Sequence, residues 1–328
     1  MLTRQRRQSI RPAFQAAAQA SLPGWVQRIL VSGTKRETDQ PSRKGPGEGL
    51  CIKIVDINDL MLIEVCVPKA STMAPLSFQQ RTAQAYHAIR RMLNENQIRH
   101  AIRIWNYIPQ IQAVMPDGLD RYMVFNAGRY AAYYDWFNNK ETLGGHIPTA
   151  TGIGHSGSDL FVQVLAAKLP GLPVENPRQV QAHRYSQRYG PMPPCFARAT
   201  VTPLQNTRLP DLLIGGTASV HGERSTHDNN ITAQTKETLI NLAHLTEAAV
   251  QSVHGEDATN PSTHIEASLR TFQSMRIYYR NECDLDTIKN IVWPFVDHLD
   301  PSMIELVHAD ICRHELLVEI EGTASLDR

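Results

Sequence analysis

Apolar and polar positions alternate with a two-residue period in several separate stretches and follow a helical period in a few others. Across residues 50–67, Ile, Val, Leu and Cys alternate and cluster, broken at Asn58-Asp59 by two residues that favour turns. This pattern predicts two short strands joined by a tight turn. Farther along, Ala85, Ile89 and Met92 recur at helical spacing behind Ser77 and Gln80, which have the form of a capping box. That helix leads into Ile102-Arg103-Ile104-Trp105-Asn106-Tyr107, a strand by its β-branched and aromatic content.

The same succession returns in the second half. Leu239, Leu242 and Ala249 share helical spacing within residues 234–250, and Arg276-Ile277-Tyr278-Tyr279 follows as a strand. A helix leading to an Arg-Ile-aromatic strand in each half points to an internal duplication of an α+β unit. Pro191-Met192-Pro193-Pro194 forms a stiff break between the halves, and residues 38–49, rich in Pro, Gly and charge, read as an exposed loop.

Composition narrows the classes. The chain has 328 residues, enough for two ordinary domains, and its 33 Lys+Arg against 32 Asp+Glu weigh against a nucleic-acid binder. No apolar run reaches the roughly 18 residues that would span a bilayer, so a soluble globular protein without a membrane partner is expected. Five scattered cysteines with no CxxC argue against a disulfide framework or zinc knuckle and suit a reducing, cytoplasmic setting. From Met1 to Arg36 there are basic residues and no acidic one. This has the look of an organelle transit peptide without a secretory apolar core, and a frayed or loosely docked terminus is the preferred reading.

Several motifs fail on context. Gly152-Ile153-Gly154-His155-Ser156-Gly157 spells GxGxxG, but a polar loop precedes it and a strand pattern (Asp159 to Leu165) follows, so a glycine-rich turn between strands is expected rather than a dinucleotide site. His308, Cys312 and His314 do not complete a metal-ligand set, and neither metal nor cofactor is expected. The cluster Tyr122, Phe125, Asn126, Ala127, Gly128, Arg129, Tyr130 is denser. Its arginine and tyrosines suit a small planar carboxylate, although a surface arginine stacked on exposed aromatics has the same signature. The segments Arg184 to Tyr189 and Cys195 to Thr200 carry the same alternatives. Residues 212–219 run from an apolar strand into small residues, a bulge or a place for close ligand approach. In Leu316-Leu317-Val318-Glu319-Ile320-Glu321-Gly322, two carboxylates share one face of an apolar strand. They are unremarkable if they face solvent; in a buried cleft, desolvation would make one an acid or base usable near neutrality.

Taken in order, FNAGRY (125–130), VENPRQVQAHRYSQRYGPMPPCFARAT (174–200), LLIGGTASVHGE (212–223) and CRHELLVEIEG (312–322) resemble the chorismatases, and the resemblance covers most of the chain after about Trp105. The second half is more remotely similar to RidA/YjgF proteins through GGTAS, residues 234–242 and VEIEG; Ile304 stands where imine-hydrolysing members carry an arginine. The resemblance implies an α+β fold of two RidA/YjgF-like (chorismate mutase-like) units, each a mixed sheet with helices on one face. It implies residues 1–47 as an extension, 48–194 as a first unit and 195–328 as a second. It implies a cofactor-free enzyme cleaving the enolpyruvyl ether of chorismate to pyruvate and 3-hydroxybenzoate, with 4-hydroxybenzoate in a bifunctional subtype, in a monomer or small homo-oligomer. Glu319 corresponds to the acid–base residue, with Glu321 as fallback, and Tyr122, Arg129, Tyr185, Arg198 and Gly216 to the substrate site. Cys312, seven residues before Glu319, matches the cysteine of the aromatising branch; on one uninterrupted strand the two would face opposite ways, so a bulge or bend is required. The alternatives are hydrolysis to a dihydrodiol and a RidA-like protein that binds aromatic acids without turnover.

Overall fold

The hairpin expected at Asn58-Asp59 forms. Strands β2 (Cys51–Ile57) and β3 (Leu60–Val67) pair antiparallel with Ile57 opposite Leu60, and Asn58 takes a φ of 55°, which its short polar side chain tolerates. The computed structural model describes residues 21–32, 35–40, 49–98, 100–137, 145–202, 209–255 and 265–326. Residues 1–20 of the basic N-terminus and residues 41–48 of the expected loop therefore lie outside the described residues. The start of that loop is not loop: β1 (Lys35–Gln40) pairs antiparallel with β2, Thr38 opposite Ile54. Nor is the whole terminus loosely docked. A short helix α1 (Gly24–Ser32) buries Trp25 and Val26, with Trp25 tilted 6.0 Å from Trp105. Fully burying an apolar side chain of that kind contributes roughly 1.5–3 kcal/mol.

After β3 come α2 (Pro75–Glu95), β4 (His100–Pro109), α3 (Arg121–Phe137), β5 (Thr149–His155) and β6 (Leu160–Ala167). The capping box does not form. Ser77 lies inside α2, which starts on Pro75 with Ala74 as its N-cap, because proline's fixed φ suits the first helical position. The second half runs β7 (Leu172–Val174), β8 (Ala199–Val201), β9 (Leu212–Ala218), a small β10 (Val220–His221) and β11 (Arg224–Ser225) ribbon, and α4 (Ile231–His254). It continues through α5 (Ile265–Leu269), β12 (Phe272–Tyr279), α6 (Leu285–Val296), β13 (Ile304–His308) and β14 (Val318–Ala324). Helix α4 is capped by Asn230, whose Oδ1 accepts from Ala233 N at 3.0 Å.

The duplication is visible in topology. One sheet has the order β1-β2-β3-β6-β4-β5, and the other, from its far edge, β7-β8-β9-β14-β12-β13. In each, the strand after the long helix pairs parallel with the next strand and antiparallel with the last one. The second sheet takes its edge strand from Leu172–Val174, upstream of the proline-rich break.

Strand alternation divides each sheet into two faces. Ile104 and Ile108 pack with Phe78, Tyr86 and Ile89 of α2 and Phe125 of α3, while Ile277, Val318 and Ile320 pack with Leu239 and Leu242 of α4 and Ile288 of α6. The opposite faces meet: Trp105, Tyr107 and Leu165 of the first sheet share a cluster with Leu213 of the second, into which α1 also packs Trp25 and Val26. The layers are helices, sheet, sheet, helices. Along the seam several buried polar groups are matched, as burial requires. Arg103 pairs with Glu321 at 2.7 Å, Thr149 and Thr200 share a 2.7 Å hydrogen bond, and Arg276 donates to Tyr107 Oη at 3.2 Å.

Candidate active site

Helix α3 delivers two of the expected residues. Asp120 accepts from Met123 N at 2.7 Å and caps the helix, while Arg121 donates to the carbonyls of Ala70 and Ser71 and ties its first turn to the β3–α2 connection. Gly128 lets α3 cross α2 at close range, since a Cβ there would strike Gln79 O and sit 2.8 Å from Thr82 Cβ. Tyr122 and Arg129, two turns apart, therefore face the same cavity. Arg129 donates to Asn126 Oδ1 at 2.8 Å, and its Nε is buried without a protein partner. Tyr122 lies over Gly152, the first glycine of the GxGxxG string, where a Cβ would come within 3.1 Å of the ring. That string is the end of β5 and the turn into β6; no helix follows it.

Strand β14 places the two glutamates in different surroundings. Both are buried, at 4% and 2% exposure, and both point into the seam. Glu321 is fully engaged by Arg103, by Thr151 Oγ1 at 2.5 Å and by Trp105 Nε1 at 3.0 Å. Glu319 has no hydrogen bond or ion pair among the described residues. Burial, then the charge of Glu321, pushes its carboxyl up to about 8, against the opposing pull of Arg103, Arg198 and Arg313. Glu319 is thus a neutral acid at neutral pH. Gly216 on β9 is needed here: a Cβ would run into the Glu319 carboxylate. The ladder between β9 and β14 shifts register between Ile320 and Gly322, so the small-residue stretch is both an irregularity and a close approach.

The remaining wall comes from irregular segments. Two 3₁₀ turns, Ala182–Arg184 and Gln187–Tyr189, flank Tyr185, whose Oη accepts from Arg198 Nη2 at 2.5 Å. Phe196 lies between two guanidinium groups, 4.9 Å from Arg198 and 5.9 Å from Arg129. Arg198 is buried and its Nε, like that of Arg129, has no protein partner. Cys312 belongs to no strand. The chain bends through residues 309–317 before β14 begins at Val318, so the alternation that would oppose Cys312 and Glu319 does not apply. Burial, then the Glu319 charge, raises the Cys312 thiol to about 12, so it is a protonated thiol at neutral pH.

All seven expected residues (Tyr122, Arg129, Tyr185, Arg198, Gly216, Cys312 and Glu319) line one cavity of about 210 Å³. Typical ligand pockets run from roughly 300 to 1,000 Å³, so this one suits a small molecule rather than a dinucleotide. Arg313 also lines it and was not singled out from sequence. Its guanidinium lies 3.9 Å over the Tyr189 ring and donates to Glu223 O and Ser225 Oγ. The signal available was its place beside Cys312 in the CRHELLVEIEG string; Phe196 was likewise spelled out in FARAT. Ile304, on β13, does not line the cavity. Among the described residues no group of three His, Cys, Asp or Glu could hold a metal, and no helix is long and apolar enough to cross a membrane.

Known proteins resemble the chain in sequence and fold. The family model for "Chorismatase FkbO/Hyg5-like, N-terminal" matches residues 38–166. A chorismatase of Streptomyces hygroscopicus is 35% identical over 222 residues, 67% of this chain but only 60% of that protein's length. A 3-hydroxybenzoate synthase of the same organism is 31% identical over 251 residues, 75% of this chain and 69% of its own. A chorismatase crystal structure covers 88% of this chain and 80% of its own at 29% identity, with a TM-score of 0.69. Sequence matched across both halves, a common fold along most of the chain and one cavity gathering the dispersed motifs agree: the chain belongs to the chorismatase family.

Proposed function

We propose that the protein is a chorismatase that converts chorismate to pyruvate and 3-hydroxybenzoate, with Glu319 as the general acid. The observation that carries this reading is a partnerless, buried Glu319 whose carboxyl is held up to about 8, in a cavity also lined by Arg129, Arg198 and Arg313. Chorismate carries one carboxylate on its ring and one on its enolpyruvyl ether. The guanidinium groups of Arg129 and Arg198, both lining the cavity, receive those two groups, each charge-assisted hydrogen bond being worth roughly 1.5–3 kcal/mol. Tyr122 and Tyr185 border the ring.

Cleaving an enol ether begins with protonation of its methylene carbon, which leaves an oxocarbenium-like centre. A carboxylic acid that stays protonated at neutral pH supplies that proton, and the carboxylate left behind stabilises the cation and later takes a proton back. In the aromatising course, the substrate's 4-hydroxyl oxygen displaces the ether at C3, pyruvate departs, and the arene oxide opens to 3-hydroxybenzoate. The products together contain the atoms of chorismate, with no water consumed. Cys312 borders the cavity as a neutral thiol, which supports its assignment to this course. Because the protonated form of Glu319 is required, turnover falls as pH rises through about 8.

The test is incubation of purified protein with chorismate, without metal or nicotinamide, and identification of products by chromatography and mass. Pyruvate with 3-hydroxybenzoate supports the proposal, and 4-hydroxybenzoate alongside marks the bifunctional subtype. A dihydrodiol would place the chain in the hydrolytic course and leave Cys312 as packing. Unchanged chorismate from folded protein would overturn the enzyme reading. Glu319→Gln separates catalysis from binding, since it should lose turnover and keep chorismate affinity.

A further inference from the structure

The carboxylates of Glu319 and Glu321 lie two residues apart on the same face of β14, yet the hydrogen bonds this pair receives all go to one of them. Arg103 Nη2 donates to Glu321 Oε2 at 2.7 Å, and Trp105 Nε1 donates to Oε1 at 3.0 Å. The Thr151 hydroxyl is used to capacity: it donates to Glu321 Oε2 at 2.5 Å and accepts from Arg103 Nη2 at 2.5 Å and Gly216 N at 3.0 Å. Gly216 is the residue that abuts the Glu319 carboxylate, and its amide donates to Thr151 Oγ1. A carboxylate that accepts backbone N–H bonds is stabilised as the anion; one denied them is not.

We propose that Glu321, Arg103 and Thr151 form a positioning unit that keeps Glu319 loaded with its proton: Glu321 collects the donors of the seam, and Thr151 withholds the Gly216 amide from Glu319. The proposal deepens the chorismatase reading and rests on Glu319 as its acid. The ion pair makes the arrangement electrically cheap, because Arg103 compensates Glu321 while Glu321 still sets a negative charge beside Glu319. The other groups facing Glu319 act from separate elements. Arg198 precedes β8, Cys312 and Arg313 precede β14, Tyr122 and Arg129 come from α3, and Tyr278 is the cross-strand partner on β12. Arg198 and Arg313 favour the anion, as does Arg103, whose part in the unit is to hold Glu321 and Thr151 in place, so Glu321 and Thr151 work against a cationic surround.

The test reads Glu319 without substrate. Protein labelled with ¹³C at the glutamate carboxyl is titrated by NMR, and the Glu319 signal is the one absent from Glu319→Gln. Glu321→Gln and Thr151→Val should each move the Glu319 midpoint down by about one pH unit, a tenfold change in the protonated fraction above neutrality, and Thr151→Ser should retain the wild-type midpoint. Thr151→Val removes no charge, so it carries the test even if Glu321→Gln leaves Arg103 unpaired and the protein unfolded. An unchanged midpoint in Thr151→Val overturns the proposal. Where chorismate is turned over, the alkaline limb of kcat/KM should shift with the midpoint, whereas a purely structural role would lower activity at every pH without moving the limb. A protein that binds but does not convert chorismate would sink the enzymatic reading and leave this titration to be judged separately.

Discussion

Replacing Glu319 by glutamine should stabilise the fold at alkaline pH while abolishing turnover. In the unfolded chain a glutamate carboxyl titrates near 4.5; buried in the seam, Glu319 titrates near 8. The folded protein therefore binds the proton more tightly than the unfolded chain. The sign follows: this contribution to stability is fully present below 4.5 and is lost as pH rises towards 8. Each unit corresponds to about 1.4 kcal/mol, so at pH 7 the wild type has lost about 3 kcal/mol to this single group. Glutamine has the same shape and cannot ionise. In denaturant unfolding of both proteins from about pH 5 to about pH 9, the stability difference, variant minus wild type, should grow by about 1.4 kcal/mol per unit and level off above pH 8. Taking the difference cancels the titration of groups that do not interact with Glu319. A difference that stays constant across that range would refute the assignment of a proton to Glu319.

Three further outcomes follow from the site. Gly216→Ala drives a methyl into the Glu319 carboxylate and should cut kcat at least a hundredfold for about 1–3 kcal/mol of stability, read by kinetics and thermal unfolding together. Arg198→Gln removes a buried cation and its bond to Tyr185, and should raise KM for chorismate about 10- to 100-fold with a smaller change in kcat. Cys312→Ser should shift product from 3-hydroxybenzoate towards the dihydrodiol while pyruvate release continues, measured by chromatography; an unaltered product profile would assign Cys312 to packing alone.

Much of the framework was legible in the amino-acid string. The Asn58-Asp59 turn, the helix carrying Ala85, Ile89 and Met92, and the Arg-Ile-aromatic strands follow from local chemistry and periodicity, which act over a few residues. What periodicity could not reach was anything decided across the seam. Glu319 and Glu321 are equivalent by alternation, and only the partners from β4 and β5, Arg103 and Thr151, make one an ion-paired group and leave the other without a partner. Arg103 was legible only as part of a strand. Ser77 and Gln80 misled because Pro75 starts the helix earlier, and residues 38–40 misled because their pairing with β2 outweighs a polar composition. Alternation likewise fails for Cys312, which lies before the strand begins.

The repeated sheet order has a consequence for how one site arises from two copies. In the second half, Arg276 lies opposite Glu321 and Tyr278 opposite Glu319; in the first, Arg103 lies opposite Leu165 and Trp105 opposite Gln163. The first copy thus holds leucine and glutamine where the second holds its two carboxylates, while α3, in the first copy, contributes Tyr122 and Arg129. Identical subunits meeting face to face would each have to encode acid and cation helix alike. Joined in one polypeptide, the copies divide the labour, each free to lose what its sister retains, and the seam that unites them cannot be diluted apart.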